Sequence, residues 1–325
     1  MVEIELKPEE LSKEDNLERV EMSRDELWFL KHFFKKYNPK KIVEIGVSAG
    51  GNTVNLLNWK EKDAQLYSID IAVNWYRDNS KVSGFLAEEL ESKDNWKMYR
   101  GKDYLDVYEE IGDEIDFIII DTVHAMPGEF LSFIAALPQL KDGCLVILHD
   151  VHLNMMYHHE DNFSNLYRIS AYCNALLFGG VSSKNKWTLK ADPITNIGAF
   201  IVDESTRENI KDIFHILTSA WNYYPSGLNL SLYKEYVKEH YPIECSKMFD
   251  NCLELQSKYF NHEPKIDYDT IKRENEELKK NNANLNRKNK KLNKDLKKAN
   301  KINEEVLSSN SWKITEPLRK IKRMF

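Results

Sequence analysis

The chain has 325 residues, of which 42% are hydrophobic and 30% charged, and its formal net charge is −6 at pH 7. This length can bury a large core with a further segment beside it, and the composition excludes fibrous and low-complexity proteins. Four cysteines without a CxxC motif or a Cys/His cluster exclude a disulfide scaffold and a zinc site. The acidic N-terminus predicts no signal peptide, and no stretch approaches the roughly 20 apolar residues of a membrane span, so we expect a cytoplasmic protein.

The charge is divided between two parts of the chain. Residues 265–325 carry a net charge of +9, and the remainder carries −15. An acidic body is unsuited to phosphate backbones, so we expect no nucleic acid partner. The basic tail suits an anionic membrane or an acidic protein.

Strand and helix patterns alternate through the body, which predicts a parallel α/β sheet. A helix is predicted over 25–37, and further helical segments over 53–59, 85–90 and 130–140. Residues 152–190 and 221–241 have loop character. Buried strands are predicted over 41–47, 66–71, 96–100, 116–121, 144–149 and 197–202.

The tail has a seven-residue period. Apolar residues recur without a break at Ile271, Leu278, Leu285, Leu292, Ala299 and Val306. With these as d positions, Asn275, Asn282 and Asn289 occupy a positions, which favours a parallel two-stranded coiled coil. We therefore predict a coiled coil over 265–307 that makes a homodimer.

A glycine-containing turn follows the first strand of the body. The segment runs from Glu44 through Gly46, Ser48 and Gly50, and Asn52 and Thr53 open the next helix. Its G-x-x-x-G-G spacing departs from the G-x-G-x-x-G that seats a pyrophosphate, so an NAD-linked reductase is disfavoured. An acid two residues before the first glycine suits a ligand that carries a cationic amine.

Two further acids follow strands at the same sheet edge. Asp70 closes the second strand, from which a carboxylate can accept both ribose hydroxyls, and Asp103 follows the third strand, within reach of an adenine amine. Each could instead cap a helix. Ligands of open α/β sheets bind at this edge, so we predict a nucleoside site here.

The ordered segments EIGVSAGGNT, YSID, GKDY, IIIDTVH and LKDGCLVILHDV resemble class I S-adenosylmethionine-dependent methyltransferases over residues 25–205. They resemble more narrowly the branch of macrocin-type and cephalosporin-cluster O-methyltransferases. The resemblance implies a doubly wound, Rossmann-like seven-stranded sheet, with Glu44 and Gly46 near methionine, Asp70 on the ribose and Asp103 near adenine. The family pattern usually has Gly where this chain has Ser48.

Two strands end in carboxylate and imidazole groups, in Asp121-Thr122-Val123-His124 and His149-Asp150-Val151-His152. Methyl transfer to oxygen needs an acceptor held in line and its proton removed, and we predict His124 or His152 as the base. In the resembled branch, acids at the positions of Asp121, His149 and Asp150 bind magnesium. A histidine in the middle position suits a transition metal such as Mn²⁺ better than Mg²⁺. Asp121 and Asp150 could instead cap helices, and His149 could be a core histidine.

The acceptor is predicted from aromatic residues and from the C-terminus. Aromatic side chains that suit stacking on sugar rings, or packing among helices, are Trp187, Trp221, Tyr223, Tyr224, Tyr233, Tyr236 and Tyr241. Residues 309–319, SNSWKITEPLR, resemble a signature at the ends of bacterial surface-polysaccharide glycosyltransferases. Basic and aromatic residues of the 308–325 tail suit an anionic membrane surface or a docking site on a partner protein.

We therefore predict an O-methyltransferase domain over 1–264, with its core at 25–205 and an acceptor-covering segment at 206–264. It uses S-adenosylmethionine, with or without a divalent metal, to methylate a sugar hydroxyl in capsule or O-antigen biosynthesis. The tail would tie it to a membrane-associated glycan-assembly partner at the inner face of the cytoplasmic membrane. The alternatives are a small-molecule (natural-product) O-methyltransferase and an idle nucleoside-binding scaffold.

Overall fold

A computed structural model describes residues 2–4, 11–12, 15–156, 171–190, 196–225, 227–262, 285, 287–294, 296–302 and 304–305. The chain divides into two compact units, Met1–Asn261 and His262–Phe325. The strands of the first unit are β1 (Val2–Ile4), β2 (Lys41–Ile45), β3 (Gln65–Asp70), β4 (Trp96–Arg100), β5 (Ile115–Ile120), β6 (Leu140–His149), β7 (Lys186–Leu189) and β8 (Ile197–Ile201). The helices are α1 (Arg24–Tyr37), α2 (Gly51–Trp59), α3 (Phe85–Glu88), α4 (Tyr108–Ile111), α5 (Gly128–Ala136), α6 (Leu153–Met156), α7 (Cys173–Gly180), α8 (Glu204–Glu208), α9 (Ile210–Leu217), α10 (Leu230–His240) and α11 (Ile243–His262).

The strands form one mixed sheet in the order β1-β7-β8-β6-β5-β2-β3-β4. Strand β8 runs antiparallel to both its neighbours, and the remaining pairs are parallel. The strands β2 to β8 make the predicted Rossmann-like sheet, and β1 extends it by one strand at the edge. The carboxyl ends of β2, β3 and β5 therefore meet at one edge, where ligands of such sheets bind.

The sheet is covered on both faces, as a doubly wound fold requires. One apolar cluster packs side chains of α5, α7, α9, α10 and α11 against the sheet. A second cluster packs α1 and α2 on the opposite face. Because both faces are buried, the central strands read as continuous apolar runs such as Phe117–Ile120.

Helix α1 begins with a complete capping box. Ser23 accepts a hydrogen bond from the Glu26 amide at 3.2 Å, and the Glu26 carboxylate accepts one from the Ser23 amide at 2.7 Å. Leu27, Leu30 and Phe34 of this helix are buried against the sheet, as its helical periodicity predicts.

Two segments expected to have loop character contain regular structure. The 152–190 segment includes α7 and β7, and the 221–241 segment includes α10. In α10 the buried residues are Tyr233, Tyr236 and Val237, at helical spacing. Both loop assignments are wrong, and in α10 the reason is that tyrosines fill two of the three buried positions in place of aliphatic residues.

In the second unit the described residues between 285 and 305 are helical. The rest of the predicted coiled coil, and the whole of the 308–325 tail, lie outside the described residues. Among the helices that the structure describes, none combines the length and the apolar character needed to cross a bilayer.

Candidate active site

A cavity of about 660 Å³ opens at the carboxyl ends of β2, β3 and β5. Its size is in the range of small-molecule and cofactor sites. Its wall includes six of the residues predicted to bind the cofactor, namely Gly46, Ser48, Asn52, Asp70, Asp103 and Asp121. Glu44, Gly50 and Thr53 are close in sequence but do not line it.

The turn after β2 needs glycine for two separate reasons at Gly46. Its φ is +91°, and a Cβ there would lie 1.6 Å from the carbonyl oxygen of Asp121. Ser48 also has a positive φ, of 52°, so this turn holds a non-glycine residue in a conformation that usually costs energy. The close approach of the turn to Asp121 brings the two strand ends together.

Asp70 holds this turn in place. One oxygen of its carboxylate accepts hydrogen bonds from the Val47 amide at 3.1 Å, the Ser48 amide at 2.9 Å and the Ser83 hydroxyl at 2.6 Å. The other oxygen accepts one from the Ala72 amide at 2.8 Å. Asp70 is therefore both a cavity residue and the organiser of the turn, and Oδ1 has capacity for a further donor.

Glu44 lies beneath the turn, away from the cavity. Its carboxylate accepts hydrogen bonds from Thr53 Oγ1 at 2.8 Å and Ser68 Oγ at 2.7 Å. Complete burial raises the pKa of Glu44 to about 7, against the opposing effect of these two hydroxyls. The described contacts of Glu44 and Thr53 are therefore with each other and with the strand behind them.

Asp103 lies at the other side of the cavity. Burial raises its pKa, and the Tyr233 hydroxyl donates a hydrogen bond to its Oδ2 at 2.6 Å. Tyr233 itself is fully buried in the core. Asp103 and Tyr233 of α10 are 130 positions apart in the sequence, so sequence patterns could not predict this contact.

Carboxylates and imidazoles converge at the ends of β5 and β6. His124 Nδ1 lies 3.0 Å from Asp150 Oδ2, 3.6 Å from Glu129 Oε1 and 4.0 Å from Asp121 Oδ1. Burial favours the neutral ring, but these three carboxylates outweigh it and raise the pKa of His124. His124 lines the cavity together with Asp121, so this cluster forms part of the cavity wall.

His149 lies deeper in the same cluster. Its Nδ1 is 3.3 Å from both Asp121 Oδ2 and Asp150 Oδ2, and its Nε2 is 3.6 Å from Glu26 Oε2 of α1. Burial opposes its charge, but the pKa of His149 is raised well above its ordinary value by Asp150 and Asp121. His149, which was predicted as a metal ligand, is thus in contact with the two other predicted ligands, Asp121 and Asp150.

The second predicted base has a different position. The His152 amide donates to Asn196 Oδ1 at 2.8 Å, and Asn196 Nδ2 donates in turn to Asp150. His152 does not line the cavity. Neighbouring histidines lower the pKa of Asp150 to about 2, against the effect of burial.

The donor set can accommodate a divalent cation. Oxygen and nitrogen atoms of Asp121, His124 and Asp150 lie within 4.8 Å of one another. His124 Nδ1 and both ring nitrogens of His149 are buried beside carboxylates, and in the part of the chain that the structure describes none of the three makes a hydrogen bond of good geometry. Two carboxylates with imidazole suit Mn²⁺, Fe²⁺ or a similar ion better than Mg²⁺. The set includes His124, which the sequence predicted only as a base.

Several cavity and cluster residues were missed by sequence reasoning. Glu129, fully buried in α5, accepts the His124 amide at 2.6 Å. Arg19 and Glu21 line the cavity from a segment before α1. A buried acid in an otherwise apolar helix is a signal that could have identified Glu129. Arg19 and Glu21 carry no such local signal.

The aromatic residues predicted for the acceptor divide into two groups. Tyr223 and Tyr224 line the cavity. Trp221, Tyr233 and Tyr236 are buried in the core, and the half-buried Trp187 and Tyr241 pack against Phe33 and Phe214. Packing is thus the observed role of five of the seven.

A comparison with models of known protein families finds one match. Residues 43–151 match the model of a family described as a methyltransferase domain. This match supports the prediction of a methyltransferase over these residues, while S-adenosylmethionine as the cofactor, the narrower branch and the C-terminal signature stay predictions. A search of curated proteins finds no match.

Solved structures with some similarity include three methyltransferases. The O-methyltransferase TomG of Streptomyces achromogenes, involved in tomaymycin synthesis and solved with S-adenosylmethionine, is 17% identical, with 54% of this chain and 78% of that chain covered and a TM-score of 0.40. A Bacillus cereus O-methyltransferase with S-adenosylhomocysteine is 19% identical, with 54% and 79% covered and a TM-score of 0.37. A caffeoyl-CoA O-methyltransferase-like protein of Staphylococcus aureus is 18% identical, with 54% and 81% covered and a TM-score of 0.39. At these values the likenesses carry no argument about the activity of this chain.

Proposed function

With a methyltransferase domain over residues 43–151 as the premise, we propose that this chain transfers a methyl group from S-adenosylmethionine to a sugar hydroxyl of a bacterial cell-surface polysaccharide or its precursor. One observation carries the proposal. A single cavity joins the glycine-containing turn, Asp70 and Asp103 to Asp121 and His124. A cofactor and an acceptor bound there would be adjacent, as direct transfer requires.

The cofactor would extend along the turn between β2 and α2. Asp70 Oδ1 is available to the ribose hydroxyls, and Asp103 is available to the adenine amine. The apolar side chains of Ile45, Ile69 and Ile71 line the cavity nearby and would pack on the nucleoside. The methyl group would then face the Asp121–His124 end.

His124 is the proposed base. Its Nδ1 faces three carboxylates, so Nε2 is the nitrogen that remains for the acceptor hydroxyl. The backbone of His124 is held by the hydrogen bond that its amide donates to Glu129. His152 is the weaker alternative because it stands outside the cavity wall.

Asp121, His149 and Asp150 are the residues that would hold a divalent cation, since His149 Nδ1 lies 3.3 Å from both carboxylates, and His124 is then left as the base. When bound, such an ion would offset the carboxylate charge around His124 and lower the pKa of an acceptor hydroxyl. The chain's own part is to hold these side chains close together before any ligand arrives. The cluster does so through the Asn196 contact to Asp150 and the packing of His149 under α1.

Tyr223 and Tyr224 support a sugar as the acceptor. Both rings line the cavity beside Pro225 and Leu228, and aromatic faces stack on the C–H faces of sugar rings while hydroxyls bind polar groups. A small-molecule hydroxyl is the second acceptor class, since the same apolar wall fits a natural product.

The tail is proposed to assemble the enzyme. Leu285, Leu292, Leu296 and Ile302 of the second unit expose 56%, 64%, 58% and 60% of their surface. Three of these leucines hold a and d positions of the heptad, so a second copy would bury them in a parallel dimer. The 308–325 tail would then dock the dimer on a glycan-assembly partner at the inner face of the cytoplasmic membrane.

Methyl transfer from labelled S-adenosylmethionine to a panel of acceptors tests the proposal. The panel contains nucleotide-linked sugars, lipid-linked sugars and small-molecule hydroxyls, with and without Mn²⁺. We expect labelled sugar products, loss of at least 100-fold in rate for His124→Asn, and retained activity for His152→Asn. Labelling of small molecules alone would favour the second acceptor class, and equal losses in both variants would contradict His124 as the base.

A further inference from the structure

A segment that precedes the methyltransferase domain lies across one side of the cavity. We call residues 15–22 the strap. The carbonyl oxygen of Arg19 lies 2.4 Å from the place a Cβ on Gly51 would occupy, so the strap touches the first residue of α2 directly. Only glycine leaves room for this contact.

Hydrogen bonds fix the strap at α2. The Asn16 amide donates to Asn55 Oδ1 at 2.8 Å, and Asn55 Nδ2 donates back to the Asn16 carbonyl at 2.9 Å. Asn16 Nδ2 also donates to the Gly51 carbonyl at 3.0 Å. Asp15 is bound by Lys31 Nζ and by Trp59 Nε1, each at 2.8 Å. The strap is thus anchored to the same elements that carry the glycine-containing turn.

The strap presents two opposite charges to the cavity. Arg19, Val20 and Glu21 all line it. Arg19 and Glu21 each have a φ of 52°, in the left-handed region that residues other than glycine rarely adopt. Such conformations cluster where side chains are held for a ligand.

Neighbouring groups hold both charged side chains beside the turn. The Arg19 guanidinium lies over the Trp75 ring, 4.7 Å from its centroid. The Glu21 carboxylate accepts hydrogen bonds from Ser48 Oγ at 3.0 Å and from the Tyr76 hydroxyl at 3.1 Å. Ser48 occupies a position where glycine is usual in the resembled family. Glycine has no hydroxyl, so it could not donate the hydrogen bond that Ser48 donates to Glu21.

The acids already described elsewhere in the cavity belong to the nucleoside end. The turn engages Oδ2 of Asp70 and Tyr233 engages Oδ2 of Asp103, which leaves capacity on their other oxygens for the nucleoside. Beside the strap, Asn52 Oδ1 is buried with no hydrogen-bond partner among the residues that the structure describes.

Arg19 pairs with the exposed Glu18 at 3.5 Å, and Glu21 pairs with the exposed Arg77 at 3.4 Å. Surface ion pairs of this kind are weak enough for a ligand to replace. This end of the cavity therefore offers a cation, an anion and an unpaired amide oxygen to a ligand.

We infer that the strap is part of the cofactor site, and that Arg19 and Glu21 bind the carboxylate and the ammonium of the amino-acid end of S-adenosylmethionine. A zwitterion is the ligand group whose charges match this pair. The inference rests on the proposed function, because it takes S-adenosylmethionine as the cofactor. It assigns recognition of one end of that cofactor to residues outside the domain match.

A pair of ligands separates this role from a structural one. S-adenosylhomocysteine has the amino-acid chain, and 5′-methylthioadenosine has the same nucleoside and sulfur without it. Calorimetric binding of both to the full chain is compared with Arg19→Gln and Glu21→Gln. We expect each variant to weaken S-adenosylhomocysteine by about tenfold or more, with less than a twofold change for 5′-methylthioadenosine.

Leu17→Ala is the matched control. Leu17 lies on the same strap with 56% of its surface exposed, and it does not line the cavity, so both affinities should be unchanged. Unchanged S-adenosylhomocysteine affinity in Arg19→Gln and Glu21→Gln, or equal losses for both ligands, would overturn the inference while leaving the proposed function standing. Absence of S-adenosylhomocysteine binding by the folded wild-type chain would overturn both.

Discussion

At the scale of single residues, the candidate site is organised by polar groups that hold its other parts in place. Asp70 accepts hydrogen bonds from two backbone amides of the turn after β2, and Glu129 accepts one from the backbone amide of His124. The residues that line the cavity are therefore positioned by buried polar partners. Replacing such a partner should disturb the site more than replacing an exposed lining residue.

Gly46 lies at the position in the turn where a side chain would collide most severely with the backbone. In Gly46→Ala the new methyl would collide with the Asp121 carbonyl, 1.6 Å from the Cβ position, and we expect a loss of more than about 3 kcal/mol in the free energy of unfolding. Gly143→Ala is the matched control, since Gly143 has a φ of +87° but nothing within 4 Å of its Cβ position. That variant should lose only the backbone cost of about 1–2 kcal/mol. Equal losses in chemical denaturation would show that the collision is relieved elsewhere.

Glu44 gives the protein a pH-dependent stability. Its pKa is raised by burial from an ordinary 4.5 to about 7, so the folded state binds this proton more tightly than the unfolded state. Stability from this group is present below pH 4.5 and is lost as the pH rises through about 7. The difference between the two pKa values corresponds to about 3 kcal/mol in the free energy of unfolding.

Glu44→Gln should remove this dependence because the amide stays neutral. The free energy of unfolding, measured between pH 5 and pH 8, should fall less with rising pH in the variant than in the wild type. Parallel curves for the two proteins would contradict the assignment to Glu44.

At the residue scale, the sequence predicted the acids and histidines but not their partners. Asp121, His149 and Asp150 follow strands whose parallel order brings them together, which strand patterns alone can predict. Glu129, Arg19 and Glu21 reach the site from a helix and a strap whose paths depend on tertiary packing. The contact between Asp103 and Tyr233 joins segments far apart in sequence for the same reason.

At the scale of elements, apolar runs were the most reliable signal. The central strands β2, β3, β5 and β6 are buried on both faces, so each appears as a continuous apolar run. Strand β7 contains Lys186 and Trp187 and lies near the sheet edge, and it was missed. Helix α10 was missed because tyrosines fill two of its three buried positions.

The contribution of the Ser23 cap at the start of α1 to stability can be tested by substitution. Ser23→Ala removes the hydroxyl that caps the Glu26 amide and should lower the free energy of unfolding by about 1 kcal/mol. Glu26 also faces His149 Nε2 at 3.6 Å, so a loosened first turn should release that contact. Ser23→Thr or Ser23→Asp keeps an accepting oxygen and should restore most of the stability in thermal denaturation. Failure of both to do so would show that the cap is not what Ser23 supplies.

At the scale of the whole molecule, the chain divides into a compact α/β unit and a second unit whose described residues between 285 and 305 are helical. The opposite charges of residues 1–264 and 265–325, −15 and +9, agree with different roles in catalysis and assembly. The apolar stripe of the second unit is the feature that connects sequence periodicity to oligomeric state.

The proposed dimer can be separated from the fold of the first unit. Leu285→Asn with Leu292→Asn should convert the full chain from dimer to monomer in sedimentation, because both d positions lose apolar area. Lys294→Asn, at an outward position of the same helix, should leave the dimer intact. A monomeric wild-type chain, or a dimer that survives the double substitution, would contradict the coiled coil.

The central claim is that the cavity is an S-adenosylmethionine site, and calorimetric titration of the full chain with that cofactor tests it most directly. We expect a dissociation constant on the order of micromolar and one site per chain. Titration with and without EDTA, and after addition of Mn²⁺, should change the binding enthalpy or affinity if the Asp121–His149–Asp150 cluster holds a metal. Folded protein that fails to bind S-adenosylmethionine under all of these conditions would contradict the account.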